Sequence, residues 1–173
     1  MKIDLKSKTQ LILLILIALT LAFIFGQSML PAEKSMETSD GVAQTVDKIL
    51  DTATERPSAS GEAEQNPIIT FVTKYLRKIA HFVEHGALGF EIFLLIMALE
   101  KQSGIARKIS PISPKRLLFS INIGVIVAFV DETIQIFSGR MAKVSDMWID
   151  IAGYTAFSLL AFAFFAFLKK LKS

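Results

Sequence analysis

The chain has 173 residues, 52% of them hydrophobic and 20% charged, and its mean hydropathy of +0.50 is too high for an ordinary soluble domain of this length. Its net charge of +3 does not indicate a nucleic-acid partner, because the basic residues flank apolar segments and form no patch with interleaved aromatics. With no cysteine there is no disulfide framework, no thiolate nucleophile and no zinc-thiolate site.

The first apolar run, Leu11 to Phe25, follows Lys2, Lys6 and Lys8. Its length also suits the apolar region of a signal peptide, but no small-x-small cleavage site follows, so it is read as an uncleaved span over about 9–28. Residues 29–69 are rich in Ser, Thr, Glu and Ala, contain Pro31, Pro57 and Pro67, and are read as an external loop. Within that loop Val42, Val46, Ile49 and Leu50 recur at helical spacing behind Ser39 and Asp40, which predicts a short surface helix or a transient one in a linker. A second span over about 78–99 is charged at its start and carries Glu91 in its middle. The third, about 117–137, contains Asp131 and Glu132, and the fourth, about 148–168, has Asp150 one turn inside. Each is about 20 residues, enough at about 1.5 Å per residue to cross a hydrocarbon core of about 30 Å. The expected fold is all-α: a polytopic membrane protein forming one domain over 1–173, a four-transmembrane-helix bundle.

Orientation follows from the cations. Lys2, Lys6 and Lys8, then Lys101, Arg107, Lys108, Lys115 and Arg116, then Lys169, Lys170 and Lys172 would face the cytoplasm, placing both termini inside. Arg77, Lys78, Arg140 and Lys143 fall on the outer side, beside Glu84, Asp131, Glu132 and Asp146.

The ionisable residues inside the spans are patterned. Arg77, His81, Glu84, Leu88 and Glu91 follow 4,3,4,3 spacing and share a helical stripe, with Lys78 and His85 assigned to its flank. Gly124, Asp131, Gln135 and Ser138 align in the third span, with Glu132 about 100° round the helix. Asp146, Asp150, Gly153 and Phe157 align in the fourth, and the glycines allow close approach of the helices. Counted from the outer ends, Glu84 and Asp131 lie about 10 Å deep and Asp150 about 6 Å. An outward-facing polar cavity lined by spans two, three and four is therefore expected. An ion-pair network that only fixes packing is the alternative, but desolvation makes buried ion pairs poor stabilisers, and about ten such groups exceed what packing needs.

The ordered set Arg77-Lys78-x-x-His81-Phe82-x-Glu84, Leu88-Gly89, Asp131-Glu132-x-x-Gln135-x-Phe137-x-Gly139-Arg140 and Asp146-x-x-x-Asp150-x-x-Gly153 resembles the VanZ-like family of bacterial membrane proteins. Gln27 and the loop after it extend the resemblance over nearly the whole chain. His85 departs from it, standing where the family usually has an aromatic residue, and Ile134 stands where many members have a histidine. The family is named for a protein associated with low-level resistance to teicoplanin-type glycopeptides. The resemblance implies a multi-pass bacterial cell-membrane protein serving glycopeptide resistance or envelope maintenance.

Three chemistries fit these residues. In an enzyme acting on an envelope lipid or lipid-linked cell-wall precursor at the outer leaflet, His81 is the general acid or base and Glu84 orients it. Arg77, Lys78 and Arg140 hold a phosphate or carboxylate. Asp131 or Glu132 is the second carboxylate, and Gln135, Asp146 and Asp150 complete the site. No covalent nucleophile is expected, since Ser138 and Ser145 have no adjacent histidine, and no cofactor is expected. A metal held by His81 and carboxylates is chemically possible but not expected. His81/Glu84/His85 is read as lacking the i, i+4 paired histidines of a zincin helix, and the nearby Arg and Lys oppose a cation. A binding protein that captures a glycopeptide antibiotic, a wall precursor or a membrane partner without turnover is the second reading. A proton-coupled carrier working through Glu91 is the third, disfavoured because four spans are few for alternating access and a glutamate hydrogen-bonded between helices is simpler.

Overall fold

A computed structural model describes residues 5–31, 67–100, 113–140 and 142–171, with Gly41 and Thr45. They form four helices: α1 (Leu5–Ser28), α2 (Pro67–Glu100), α3 (Pro114–Phe137) and α4 (Val144–Leu171). Each contains a segment long and apolar enough to cross a membrane: Lys8–Ser28, Lys78–Leu99, Pro114–Phe137 and Val144–Leu171. There is no strand among the described residues. Large apolar side chains such as Ile12, Phe119, Phe129 and Leu160 stand on the outside of the bundle, where lipid and not water is their natural solvent.

The helices outrun the apolar runs that predict them. α2 is 34 residues long and starts at Pro67, ahead of the apolar span and inside the predicted external loop; proline is favoured at a first helical position, where its missing N–H has no partner to lose. Pro114 starts α3 in the same way, after an extended Ser113. α4 begins at Val144, with Asp146 in its first turn and Lys169 and Lys170 in its last, each sign complementing the helix dipole. Of the short helix predicted over Val42 to Leu50 all but Thr45 lies outside the described residues; Thr45 and Gly41 are helical, and Thr45 Oγ1 donates to Gly41 O at 2.9 Å.

α2 packs most extensively on α4 and next on α1, and α3 lies against α4. The α2–α4 contact is backbone on backbone. A Cβ on Gly153 of α4 would run into the carbonyl oxygen of Phe82 on α2, and one on Gly89 of α2 would run into the carbonyl oxygen of Tyr154. Ser158 Oγ seals the contact by donating to Gly89 O at 3.1 Å. Below it Ile17, Ile24, Leu88, Ile92 and Tyr154 form the apolar core, and the Tyr154 hydroxyl meets Ser120 Oγ at 3.3 Å. Leu88, assigned to a polar stripe by its spacing, thus belongs to the core and is fully buried.

Between α3 and α4 the chain reverses tightly. Ser138 N donates to Ile134 O and Arg140 N to Gln135 O, while Gly139 takes φ +75°, a conformation that costs a residue with a Cβ more than it costs glycine. This turn returns the chain to α4 near the first ionisable residues of that helix.

Candidate functional site

Two histidines of α2, His81 and His85, lie four residues apart and so on one helix face. Their rings are nearly parallel, with centroids 6.2 Å apart. Facing them from α4 is Asp150, whose Oδ1 is 3.3 Å from His81 Nδ1 and 3.4 Å from His85 Nδ1. The approach depends on local sequence: Gly153, three residues after Asp150, rests on the backbone of Phe82, the residue after His81. Asp150 and His85 are completely buried and His81 is 13% exposed. His85 Nδ1 also lies 3.2 Å from His81 O. Among the described residues, neither oxygen of Asp150 has a hydrogen-bond partner, nor does His81 Nδ1 or His85 Nε2. Buried carboxylates left so are costly unless a cation or proton answers them. One nitrogen from each ring and one Asp150 oxygen lie within 4.8 Å of one another, the one such donor group among the described residues.

A second cluster sits on the last turns of α3. Asp131 Oδ1 accepts from Ser28 Oγ at 2.6 Å, and Gln135 Nε2 donates to Asp131 Oδ2 at 3.1 Å and to Glu132 Oε1 at 3.4 Å. Glu132 Oε2 accepts from Lys143 N at 3.0 Å. Ser138 Oγ lies 2.8 Å from Ser28 O and 2.9 Å from Gln135 O, and Arg140 Nη1 donates to Gln27 O at 3.1 Å. The end of α1 is therefore fastened to the α3–α4 turn. The two clusters share one electrostatic environment: Asp150, Asp131 and Glu84 act on His81, while His81, His85, Asp131 and Asp150 act on Glu84.

Most of the candidate residues converge. His81, Glu84, Asp131, Glu132, Gln135 and Asp150 are buried or half-buried in this region. Asp146 is half-buried at the start of α4, where it accepts from Ser145 Oγ at 3.1 Å, and Lys78 is half-buried on α2. Arg140 is buried and its partner is the Gln27 carbonyl, not one of the carboxylates expected to answer it. Arg77 is helical, but its side chain lies outside the described residues.

Two expectations are corrected. His85 is not on the flank; it is as central as His81, and its position four residues on was the signal that gives α2 a paired-histidine face after all. The polar residues are not confined to spans two, three and four, because Ser28 of α1 reaches Asp131, and no feature of Ser28 in the sequence marks it for that role. Glu91 takes the simpler of its readings, a glutamate hydrogen-bonded between helices: Thr20 Oγ1 of α1 donates to its Oε1 at 3.1 Å. Replacing Ser28 by alanine should destabilise the protein by about 1–3 kcal/mol, since Asp131 keeps its burial and loses its shortest partner. Thermal unfolding in detergent measures this, and an unchanged transition would show that the contact contributes nothing.

Residues 12–166 match the family model described as VanZ/LLP1. No curated protein and no solved structure is significantly similar to the chain.

Proposed function

The chain belongs to the VanZ-like family, and on that premise we propose that it serves the bacterial envelope's response to teicoplanin-type glycopeptides by acting on an anionic lipid or lipid-linked cell-wall precursor. The observation that carries the proposal is the buried group of His81, His85 and Asp150, whose ionisable atoms meet one another at 3.3–3.4 Å and lack hydrogen bonds to other described residues. Groups so costly to bury are retained inside a bundle where they do chemistry or bind something polar. In this reading both termini are cytoplasmic, as the clusters of lysine and arginine favour, and the polar site opens to the outer leaflet. Arg77 and Lys78 at the start of the second span hold the anionic headgroup. His81 and Glu84, adjacent on α2, move the proton that transfer or hydrolysis requires. Asp131, Glu132, Gln135 and Arg140, bonded to the ends of α1 and α4, keep the walls of the site in place, with Asp146 at its rim.

The test combines a phenotype with a product. Cells expressing the protein should tolerate more teicoplanin, and His81→Ala and Glu84→Gln should each remove that tolerance while the purified proteins unfold within a few degrees of the parent. Mass spectrometry of outer-leaflet precursor lipids should show a new species that both substitutions abolish. Tolerance without a new species identifies a binder and removes the enzymatic part of the proposal. Tolerance unaffected by either substitution removes the site.

A further inference from the structure

We propose that His81, His85 and Asp150 hold a divalent transition-metal ion of the zinc type inside the bundle, with a fourth coordination position left for water or a substrate oxygen. The proposal rests on the reading of the same site and names what stands at its centre; with His81 a ligand, the proton transfer assigned to His81 and Glu84 falls to Glu84.

Distances separate a metal from a shared proton. An imidazolium donating to a carboxylate brings nitrogen and oxygen to about 2.7–2.9 Å along the N–H direction. The contacts to Asp150 Oδ1 are longer, 3.3 and 3.4 Å, and Asp150 Oδ1 has no hydrogen-bond partner. Around a tetrahedral zinc with bonds of about 2.0–2.1 Å, neighbouring ligand atoms stand about 3.3–3.4 Å apart. Asp150 Oδ1 and the two Nδ1 atoms therefore already lie on two edges of such a tetrahedron. Ligation at His85 Nδ1 takes the place of its contact with His81 O.

The donor set and its surroundings agree. Two imidazole nitrogens and one carboxylate oxygen, with one position open, are the ligands of a reactive zinc site, and imidazole suits such metals better than calcium or magnesium. The order His81-Phe82-Val83-Glu84-His85 is H-x-x-E-H, in which one helix face presents two ligands a turn apart with a glutamate beside them to accept a proton from metal-bound water. Among the described residues, the charged groups acting on His81 are Asp150, Asp131 and Glu84, all carboxylates. Of the cations expected to oppose a metal, Arg140 donates to Gln27 O, and Lys78 lies three residues before His81 on α2. Asp131, held by Ser28 and Gln135, supplies fixed negative charge near the ligands without needing to join them.

The experiment measures metal directly, apart from any substrate. Full-length protein purified in mild detergent from zinc-supplemented cells should contain about one zinc per chain, and cobalt exchanged into it should give the visible absorption of a four-coordinate ion. His85→Phe, which keeps the buried volume and removes both nitrogens, and Asp150→Asn should each lower bound zinc about tenfold or more. Glu84→Gln, which alters no ligand, should keep it. Wild-type protein with neither zinc nor a cobalt spectrum overturns the proposal, whatever the variants do. So does full occupancy in His85→Phe and Asp150→Asn, or loss of zinc in Glu84→Gln. A variant that does not fold leaves the decision to the wild-type stoichiometry and spectrum. Metal-free protein that still converts the lipid removes the metal and keeps the envelope function; metal-loaded protein that changes no lipid and no tolerance does the reverse.

Discussion

Gly153→Ala is expected to lower the thermal transition of the purified protein by many degrees and to abolish envelope activity, although one methyl group is the whole change. The added carbon would meet the carbonyl oxygen of Phe82, with the Phe82 carbonyl carbon and Cα at 2.8 and 2.9 Å, closer than real contacts of this kind come. All three are backbone atoms of α2, so no side-chain rotation relieves the overlap. Either α4 backs away or its face turns. Overpacking of this sort costs about 1–3 kcal/mol where side chains can yield, and more is expected where they cannot, against a total stability of about 5–15 kcal/mol. Displacing α4 also pulls Asp150 off the two imidazoles, because Gly153 and Asp150 lie one turn apart on that helix. Gly26→Ala in α1 is the matched control: nothing lies within 4 Å of its added carbon, and alanine is the better helix former by about 1 kcal/mol. Equal transitions for the two variants would show that the glycine contact does not set the α2–α4 distance.

Asp150→Asn is expected to lose the proposed activity by about a hundredfold or more, while its metal-free form stays as stable as the metal-free parent or gains stability. Among the described residues neither oxygen of Asp150 accepts a hydrogen bond, so without a metal the folded state carries the desolvation of a carboxylate offset only by the His81 and His85 rings at 3.3 and 3.4 Å. This sets Asp150 apart from a buried ion pair with a fixed cation, where deleting one partner destabilises by about 3–5 kcal/mol. Activity assayed beside thermal unfolding of the metal-free forms decides the point. Parallel loss of both would make Asp150 a packing residue.

The four spans were legible because each is a long apolar run, and lipid leaves a polypeptide few alternatives to a helix. Their lengths were less so: α2 starts at Pro67 and α4 at Val144, where turn chemistry and not hydropathy decides. Nearly all of the site was legible as a list, since carboxylates and histidines inside a span are conspicuous. Its centre was not. The stripe anchored on Arg77, Glu84 and Glu91 turned the helix so that His85 fell to one side, whereas the face that matters is set by the direction from which α4 arrives. That direction depends on a glycine meeting the backbone beside Phe82, a contact between residues 71 positions apart that one helix viewed alone does not contain. The partnership of Ser28 with Asp131 was hidden for the same reason, the two lying 103 positions apart.

The hydroxyls of Thr20 and Ser28 bear on how the protein is made. Both sit on α1, which precedes in the chain the helices that carry their acceptors, Glu91 on α2 and Asp131 on α3. An acidic side chain entering the bilayer alone costs about 2.5–3.5 kcal/mol on insertion scales. A nascent α1 already lodged in the membrane offers each arriving carboxylate a donor at its own depth, one near mid-helix and one at the helix end. The two hydroxyls of α1 thus lower the cost of keeping those carboxylates at membrane depth.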